Sequence, residues 1–480
     1  MRDEIGRKRP AMLAEFASTR WVTVHGLITV LTVMIYILTS HLLQQRRHPA
    51  AAIAWMLFIL LLPYLALPLF LSFGTRKLKR AVPPHSTGTK SVRSNSSWAI
   101  STIEALGLGP PASYRQLNVH QNGRQAREAL IETISEAQFS VDLCTFLLAH
   151  DQLGTEIVDL LCIKAKSGVQ VRLLLDGLSH IIWLRPDLKD FQECGGICLT
   201  FVPPLGSSLK GRSNLRNHRK LALADAGTHQ ARMWCGGRNL CDEYFGGKVN
   251  HAAWLDLSFD LRGALADQAS TLFQQDWYFA KHLKIMTSTS AAQQSIETSL
   301  GTESLAQLVP SGPDHLDDTL HALLVTGAYQ AKRKIALVTP YFVPDTALLM
   351  ALSLAARRGV KVDLLMPRSS NHRLSDFARS RAIRALSQAG GRIWLSEEML
   401  HAKLIVIDNV LALSGSANLD NRSLFLNYEL MVAFHNPTDV EVFDAWFEVE
   451  RSKAKLFMPS QPSFLRDLAE GMTLWLGFQL

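Results

Sequence analysis

Two short runs in this 480-residue chain set an imidazole, an ammonium and a carboxylate at the same spacing. The first is His218-Arg219-Lys220, followed after Leu-Ala-Leu-Ala by Asp225 and later by Gly236-Gly237-Arg238-Asn239. The second is His401-Ala402-Lys403, followed after Leu-Ile-Val-Ile by Asp408 and later by Gly415-Ser416-Ala417-Asn418. An imidazole can act as nucleophile or as proton carrier, and a neighbouring ammonium can balance an anionic reactant. In extended backbone residues i and i+2 face the same side, so each His and Lys should point together into one cleft. A single such run carries little weight, because a strand with a polar tip produces it by accident. Two copies, each followed by a small-residue turn and an asparagine, make accident a poor explanation.

The elements that must hold these runs are themselves repeated. Phe139–Asp176 reads as strand, loop, helix, strand, and 335–367 repeats the plan. Each central helix ends at a glycine, Gly168 or Gly359, followed at once by a β-branched strand. A His-x-Lys comes 50 residues after the first glycine and 42 after the second. Alternating strands and helices of this kind imply an α/β fold built twice. One difference separates the copies. Ten residues lie between Asp225 and Gly236 but six between Asp408 and Gly415, which reads as a longer turn around Ala226-Gly227-Thr228 and bears on the first site's geometry.

The segment ahead of the repeats is of another kind. Two stretches free of charge, about Val22–Leu43 and Ala50–Phe73, are each long enough to cross a hydrocarbon core of ~30 Å. They are joined by Gln44-Gln45-Arg46-Arg47-His48-Pro49, so they read as a transmembrane helical hairpin, with Pro63 and Pro68 favouring a kinked or shallow second arm. Residues 1–80 hold eleven Lys/Arg against three acids, leaving 39 of each for the rest. All the excess charge therefore flanks the apolar segments, where it suits anionic lipid and disfavours nucleic acid as partner. Five bases precede the first stretch, two lie in the turn and four follow the second, which puts both termini in the cytoplasm. The domains expected are the hairpin within 1–80, a Pro/Ser/Thr-rich linker 81–113, a first lobe 114–285, a linker 286–304 and a second lobe 305–480. Cys144, Cys162, Cys194, Cys198, Cys235 and Cys241 lack metal-type spacing and read as core residues.

The paired motifs resemble those of the phospholipase D superfamily. Further stretches are similar to bacterial cardiolipin synthases: Arg46-Arg47-x-Pro49-Ala50 with the second apolar segment, Asn239-Leu-Cys-Asp242-Glu243-Tyr244, Trp254-Leu-Asp256, Gln275-Asp276-Trp277, Thr339-Pro340-Tyr341-Phe342-Val343-Pro344, and Asn418-Leu-Asp420-x-Arg422-Ser423 with Asn427-Tyr-Glu429. The resemblance implies two lobes sharing one active site, with His218, Lys220, Asp225, His401, Lys403 and Asp408 as the catalytic set. It makes His218 the nucleophile and His401 the acid/base, with the lysines, Asn239, Ser416 and Asn418 binding phosphate. Asp256 and Glu429 match its acidic positions behind the histidines, while Asp225 and Asp408, seven residues beyond theirs, suit the holding of strand ends. No metal or other cofactor is implied, since the lysines bring the positive charge.

The reaction implied is transfer of a phosphatidyl group from one phosphatidylglycerol to another, giving cardiolipin and glycerol, at a bacterial inner membrane with the lobes cytoplasmic. A phospholipase D-type hydrolase, a transferase with another acceptor lipid, a nuclease-type phosphodiesterase and a non-catalytic membrane scaffold are the other readings. Lys210, Arg212, Arg216 and Arg219 form a basic run that could receive a head group or equally be a solvated loop. His372, beside Asn371 and Arg373, could approach the site entrance.

Overall fold

The computed structural model describes residues 21–40, 49–74, 78, 97–178, 186–203, 214–246, 253–282, 304–315, 317–466 and 470. The turn at 44–48, Lys210, Arg212 and the linker residues 81–96 and 286–303 lie outside the described residues. The chain divides into two compact units, residues 1–79 with 204–214 and residues 80–203 with 215–480.

In the first unit the helix Trp21–Ser40 has 20 residues and mean hydropathy 2.0, and among the described residues it alone is long and apolar enough to cross a membrane. The second apolar stretch differs from a single spanning arm. It forms two shorter helices, Pro49–Leu61 and Pro63–Phe73. Pro63 drives the preceding Leu62 out of helical backbone, to φ −139° and ψ 62°, and itself starts the next helix. Tyr36, Ile59, Ala66 and Phe70 form a small core, with the Tyr36 and Phe70 rings 5.2 Å apart.

The second unit is organised on one fifteen-stranded sheet. Its strands are β1 (Ala112–His120), β2 (Ser140–Thr145), β3 (Gln170–Asp176), β4 (Ile197–Phe201), β5 (Leu221–Ala224), β6 (Arg232–Gly236), β7 (Ser258–Arg262), β8 (Ser304–Ser311) and β9 (Lys334–Val338). After the short β10 (Phe342–Val343) come β11 (Lys361–Pro367), β12 (Arg392–Ser396), β13 (Leu404–Ile407), β14 (Leu411–Gly415), the short β15 (Leu419–Asp420), β16 (Glu429–Phe434) and β17 (Lys455–Leu456). The order across the sheet is β17-β12-β11-β9-β13-β14-β16-β8-β1-β7-β6-β5-β2-β3-β4. Leaving out the edge strand β17, the order reads the same from either end: β4-β3-β2-β5-β6-β7-β1 in one lobe and β12-β11-β9-β13-β14-β16-β8 in the other. The seam is the antiparallel pairing of Ala112, Ser113 and Tyr114 with Ala306, Leu305 and Ser304.

The repeated helices form for the same local reasons. Asp151 caps Gln152–Lys166 by accepting from Gly154 N, and Asp345 caps Thr346–Arg357 by accepting from Leu348 N and Ala347 N. Gly168 (φ 89°) and Gly359 (φ 91°) end them in the left-handed conformation that favours glycine. The stretch read as linker up to 113 holds more structure than its Pro/Ser/Thr content suggests. Ser97 caps a helix, Trp98–Ala105, whose Ala99 and Ile103 are buried in the second lobe's core.

The longer turn of the first copy leaves the chemistry-bearing end untouched. Leu221 faces Cys235 and Ala224 faces Arg232, just as Leu404 faces Ser414 and Ile407 faces Leu411. His218 and His401 therefore stand three residues before equivalent register positions, and the extra residues are confined to the opposite end, around Gly227 (φ 85°).

Candidate active site

Both His-x-Lys runs lie in extended chain just ahead of β5 and β13. Each is tied to the other lobe by backbone. His218 N donates to Tyr428 O at 2.9 Å and Tyr428 N to Arg216 O at 2.8 Å. Symmetrically, His401 N donates to Leu255 O at 2.6 Å and Leu255 N to Met399 O at 2.9 Å. Residues 428 and 255 immediately precede strands or turns that carry Glu429 and Asp256, so the lobes exchange partners. His218 Nδ1 lies 3.0 Å from Glu429 Oε2, and His401 Nδ1 lies 2.7 Å from Asp256 Oδ2. A carboxylate on Nδ1 fixes the tautomer and leaves Nε2 for the cleft.

Alternation along Arg216-Asn217-His218-Arg219-Lys220 divides the run into two faces. Asn217 Nδ2 donates to Asp276 Oδ2 (3.0 Å) and Arg219 Nη1 to Asp276 Oδ1 (2.5 Å). Arg219 Nε also donates to Glu429 O at 3.0 Å. Arg219 thus belongs to a buried support, not to a solvated basic run. The other face carries Arg216, His218 and Lys220.

Lys403 Nζ sits 2.7 and 3.1 Å from the two ring nitrogens of His401, and Lys220 Nζ donates to His218 O at 2.6 Å. Burial pushes Lys220 down to about 8 and Lys403 to about 7. Burial and then Lys403 push His401 down to about 3, and burial lowers His218 as well. Burial alone would raise Asp256 and Glu429, but Lys403 and His401 outweigh it at Asp256, and His218 and Lys220 at Glu429, so both are held below the carboxylate range. The centre is therefore two neutral imidazoles backed by carboxylates, with two ammonium groups poised to lose their protons unless an anion arrives.

The two motif aspartates hold strand ends, as their distance from the histidines suggested, and Ser416 takes a role other than the one expected. Asp225 and Asp408 stand at the far ends of β5 and β13, away from their histidines. Asp225 accepts from Gln138, Phe139 and Ser140 N, and Asp408 from Lys332, Arg333 and Lys334 N at 3.0, 2.8 and 2.9 Å. They pin the starts of β2 and β9 and do not join the catalytic set. Ser416, expected on phosphate, gives its hydroxyl to Glu429 Oε2 at 2.6 Å and accepts from Leu430 N at 3.0 Å. Its equivalent is Gly237, where a Cβ would come within 2.3 Å of Asp256 Oδ1. The longer acid thus has a serine under it and the shorter one a glycine.

Asn239 and Asn418 are buried, each with an unpartnered Oδ1, and Asn239 Nδ2 donates to Tyr244 OH at 2.9 Å. The sequence assigned no role to several neighbours. Tyr244, Trp254 and Tyr341 surround the His401 ring at 4.9, 5.9 and 6.5 Å, and Phe146 meets the His218 ring at 5.1 Å. Tyr341 OH donates to Asn371 Oδ1 at 2.6 Å, and its ring lies 5.3 Å from His372, so the Asn371-His372 corner does reach a residue beside His401. Arg238 Nη1 donates to Ser258 Oγ at 2.7 Å and Nη2 to Asp256 O; Asn427 Nδ2 donates to Glu429 Oε1 at 3.2 Å. Their signal was position inside short motifs, which marks a residue without saying what it touches.

The family described as cardiolipin synthase, PLD-like domain, matches residues 130–277 and 325–450, one match around each motif. The major cardiolipin synthase of Bacillus subtilis is 30% identical over 441 residues, 86% of this chain and 89% of that one. Cardiolipin synthase 1 of Bacillus cereus is 28% identical over 431 residues, 84% and 83% of the two chains. Among solved structures, the phosphatidylserine synthase of Haemophilus influenzae Rd KW20 shares the fold with TM-score 0.59 at 14% identity, covering 80% of this chain and 100% of that one. With both lobes matched and full-length relatives aligned over most of their length, the chain belongs to the cardiolipin synthase family of the phospholipase D superfamily.

Proposed function

We propose that the chain transfers a phosphatidyl group from one phosphatidylglycerol to the glycerol head group of a second, giving cardiolipin and free glycerol. The observation that carries this reading is the exchange of carboxylates between lobes, His218 on Glu429 and His401 on Asp256, with each imidazole feeling the charge of both Lys220 and Lys403. His218, with the more exposed side chain of the two (12% against 5%), attacks phosphorus through Nε2. The departing glycerol oxygen takes a proton from His401. Burial and then the Lys403 ammonium hold His401 neutral; the anionic phosphate offsets the second of these, so substrate raises the proton affinity of the acid it needs. In the second half His401 takes the proton of the incoming hydroxyl, whose oxygen displaces Nε2 and frees His218. Lys220, Lys403, Asn239 and Asn418 serve the non-bridging oxygens.

One phosphodiester replaces another, so the exchange is close to balance and needs no nucleotide. Its hazard is water, which would give phosphatidic acid. The chain is read as membrane-associated through Trp21–Ser40, at a bacterial inner membrane with the lobes cytoplasmic.

The test is product analysis of the full chain in mixed micelles with head-group-labelled phosphatidylglycerol. Cardiolipin and glycerol in equal amounts are expected. Phosphatidic acid with glycerol, and no cardiolipin, would overturn the transferase reading.

A further inference from the structure

The near-symmetry of the two half-sites makes their differences informative. Equivalent positions are fixed by hydrogen bonds: Asn427 N donates to Arg422 O at 2.9 Å, and Trp254 N donates to Glu243 O at 2.7 Å. Asn427 precedes Tyr428-Glu429 as Trp254 precedes Leu255-Asp256, so Arg422 corresponds to Glu243 and Asn427 to Trp254. By the same bridges Arg216 corresponds to Met399. One half of the site therefore offers Arg216, Arg422 and Asn427, where the other offers Met399, Glu243 and Trp254. The His401 half thus sets a thioether, an acid and an indole where the His218 half sets two guanidiniums and an amide.

Arg216 shares the face of His218 and Lys220, since Asn217 and Arg219 on the opposite face both bond Asp276. It is buried, with Nε 3.9 Å from Asp176 Oδ1. Arg422 and Arg216 are joined by backbone to consecutive residues, Asn427 and Tyr428. Arg422 feels the charges of Arg216, Asp420, Asp176 and Glu429, with burial and then Arg216 lowering its pKa. Asp176 and Asp420, the acids beside the pair, are both pushed up to about 6 by burial. Asn427, 6% exposed, spends its Nδ2 on Glu429 Oε1 at 3.2 Å, which leaves the two guanidiniums as the donors of this half. Two guanidiniums beside a centre that already has its own two lysines suit a second phosphate.

We propose that Arg216 and Arg422 bind the phosphate of the acceptor phospholipid, the one that does not react. This rests on the transfer reading above. When the acceptor is a phospholipid, two phosphates separated by a three-carbon glycerol bridge must be held at once, and the His/Lys centre accommodates one of them. The cation pair selects an acceptor that carries its own phosphate over a simple alcohol or water.

The experiment compares two acceptors in the full chain: phosphatidylglycerol itself, giving cardiolipin, and labelled free glycerol, which exchanges into phosphatidylglycerol by the same chemistry but has no phosphate. The readout is the ratio of cardiolipin formed to glycerol exchanged. For Arg422→Gln we expect that ratio to fall at least tenfold, and for Arg422→Lys to recover most of it. Arg216→Lys, which keeps a charge beside Asp176, should move it in the same direction by a smaller factor. An unaltered ratio in Arg422→Gln, whether both products fall or neither does, would overturn the acceptor-phosphate site. A wild-type chain that forms neither product defeats the transfer reading itself, before the arginines are reached.

Discussion

At the scale of single residues, the site is built so that its charges depend on one another. Lys403 is pushed down to about 7 and Lys220 to about 8 because both ammonium groups are buried. An anionic substrate binds the protonated lysines better, so affinity is greatest below these values and weakens as pH rises through them, Lys403 failing first. We expect KM for phosphatidylglycerol to climb between about pH 7 and 9, with kcat less affected, measured in vesicles of fixed composition. A flat KM across that window would mean the lysines stay charged without substrate. The two histidines separate by another test. Rapid denaturation in alkaline detergent with phosphatidyl-labelled donor should trap acid-labile covalent label on wild type and none on His218→Asn, and both His218→Asn and His401→Asn should lose about 10³-fold in turnover or more. Label retained on His218→Asn would exchange the two roles. The residues behind the histidines act through position. Ser416→Gly removes the 2.6 Å bond to Glu429, and Gly237→Ala forces Asp256 aside, so each should cost about 10- to 100-fold in kcat while folding is kept.

At the scale of elements, the motif aspartates show how a shared pattern can mix two kinds of work. Asp408 sits at φ 50° and receives three successive amides, so it ties the turn after β13 to the start of β9. Asp408→Ala should cost about 2–4 kcal/mol, from three orphaned donors and a left-handed residue lacking its local bonds, with kcat per folded molecule little changed. Asp408→Asn, which keeps an acceptor and tolerates that backbone, should lose less. Thermal denaturation alongside kcat reads this, and a collapse of kcat at wild-type stability would return Asp408 to the chemistry. The repeated strand-helix-strand units were legible because hydrophobic period, caps and stop glycines agree at each one. The break after Leu61 was foreshadowed by Pro63, while the helix Trp98–Ala105 was hidden, since eight residues, about two turns, give little periodicity to read. The harmlessness of the longer first turn could not be read from spacing, because it depends on which end of the β5–β6 ladder absorbs the extra residues.

At the scale of the whole second unit, sequence supplied two motif sets but not the exchange between them. The bridges Asn217–Tyr428 and Leu255–Leu400 join residues about 150 to 210 apart, and no local pattern encodes which carboxylate meets which histidine. What makes the exchange possible is that the lobes are one packed body. They share the sheet across the β1–β8 seam, Tyr114 OH donates to Asp439 Oδ2 at 2.6 Å, and Phe259 of the first lobe meets Phe434 of the second at 5.2 Å, both rings fully buried. A site whose two halves each borrow an acid from the other works only if the halves hold or fail together. Phe259→Ala leaves a cavity at that junction and should cost about 3–5 kcal/mol. Because the sheet is continuous, hydrogen exchange should then show protection falling by similar factors in Leu221–Ala224 and in Leu404–Ile407, and thermal unfolding of this unit should keep one transition at a lower temperature. Loss confined to the first lobe, with the Leu404–Ile407 amides protected as before, would mean the lobes unfold independently and that the paired carboxylates are held by contacts at the site alone.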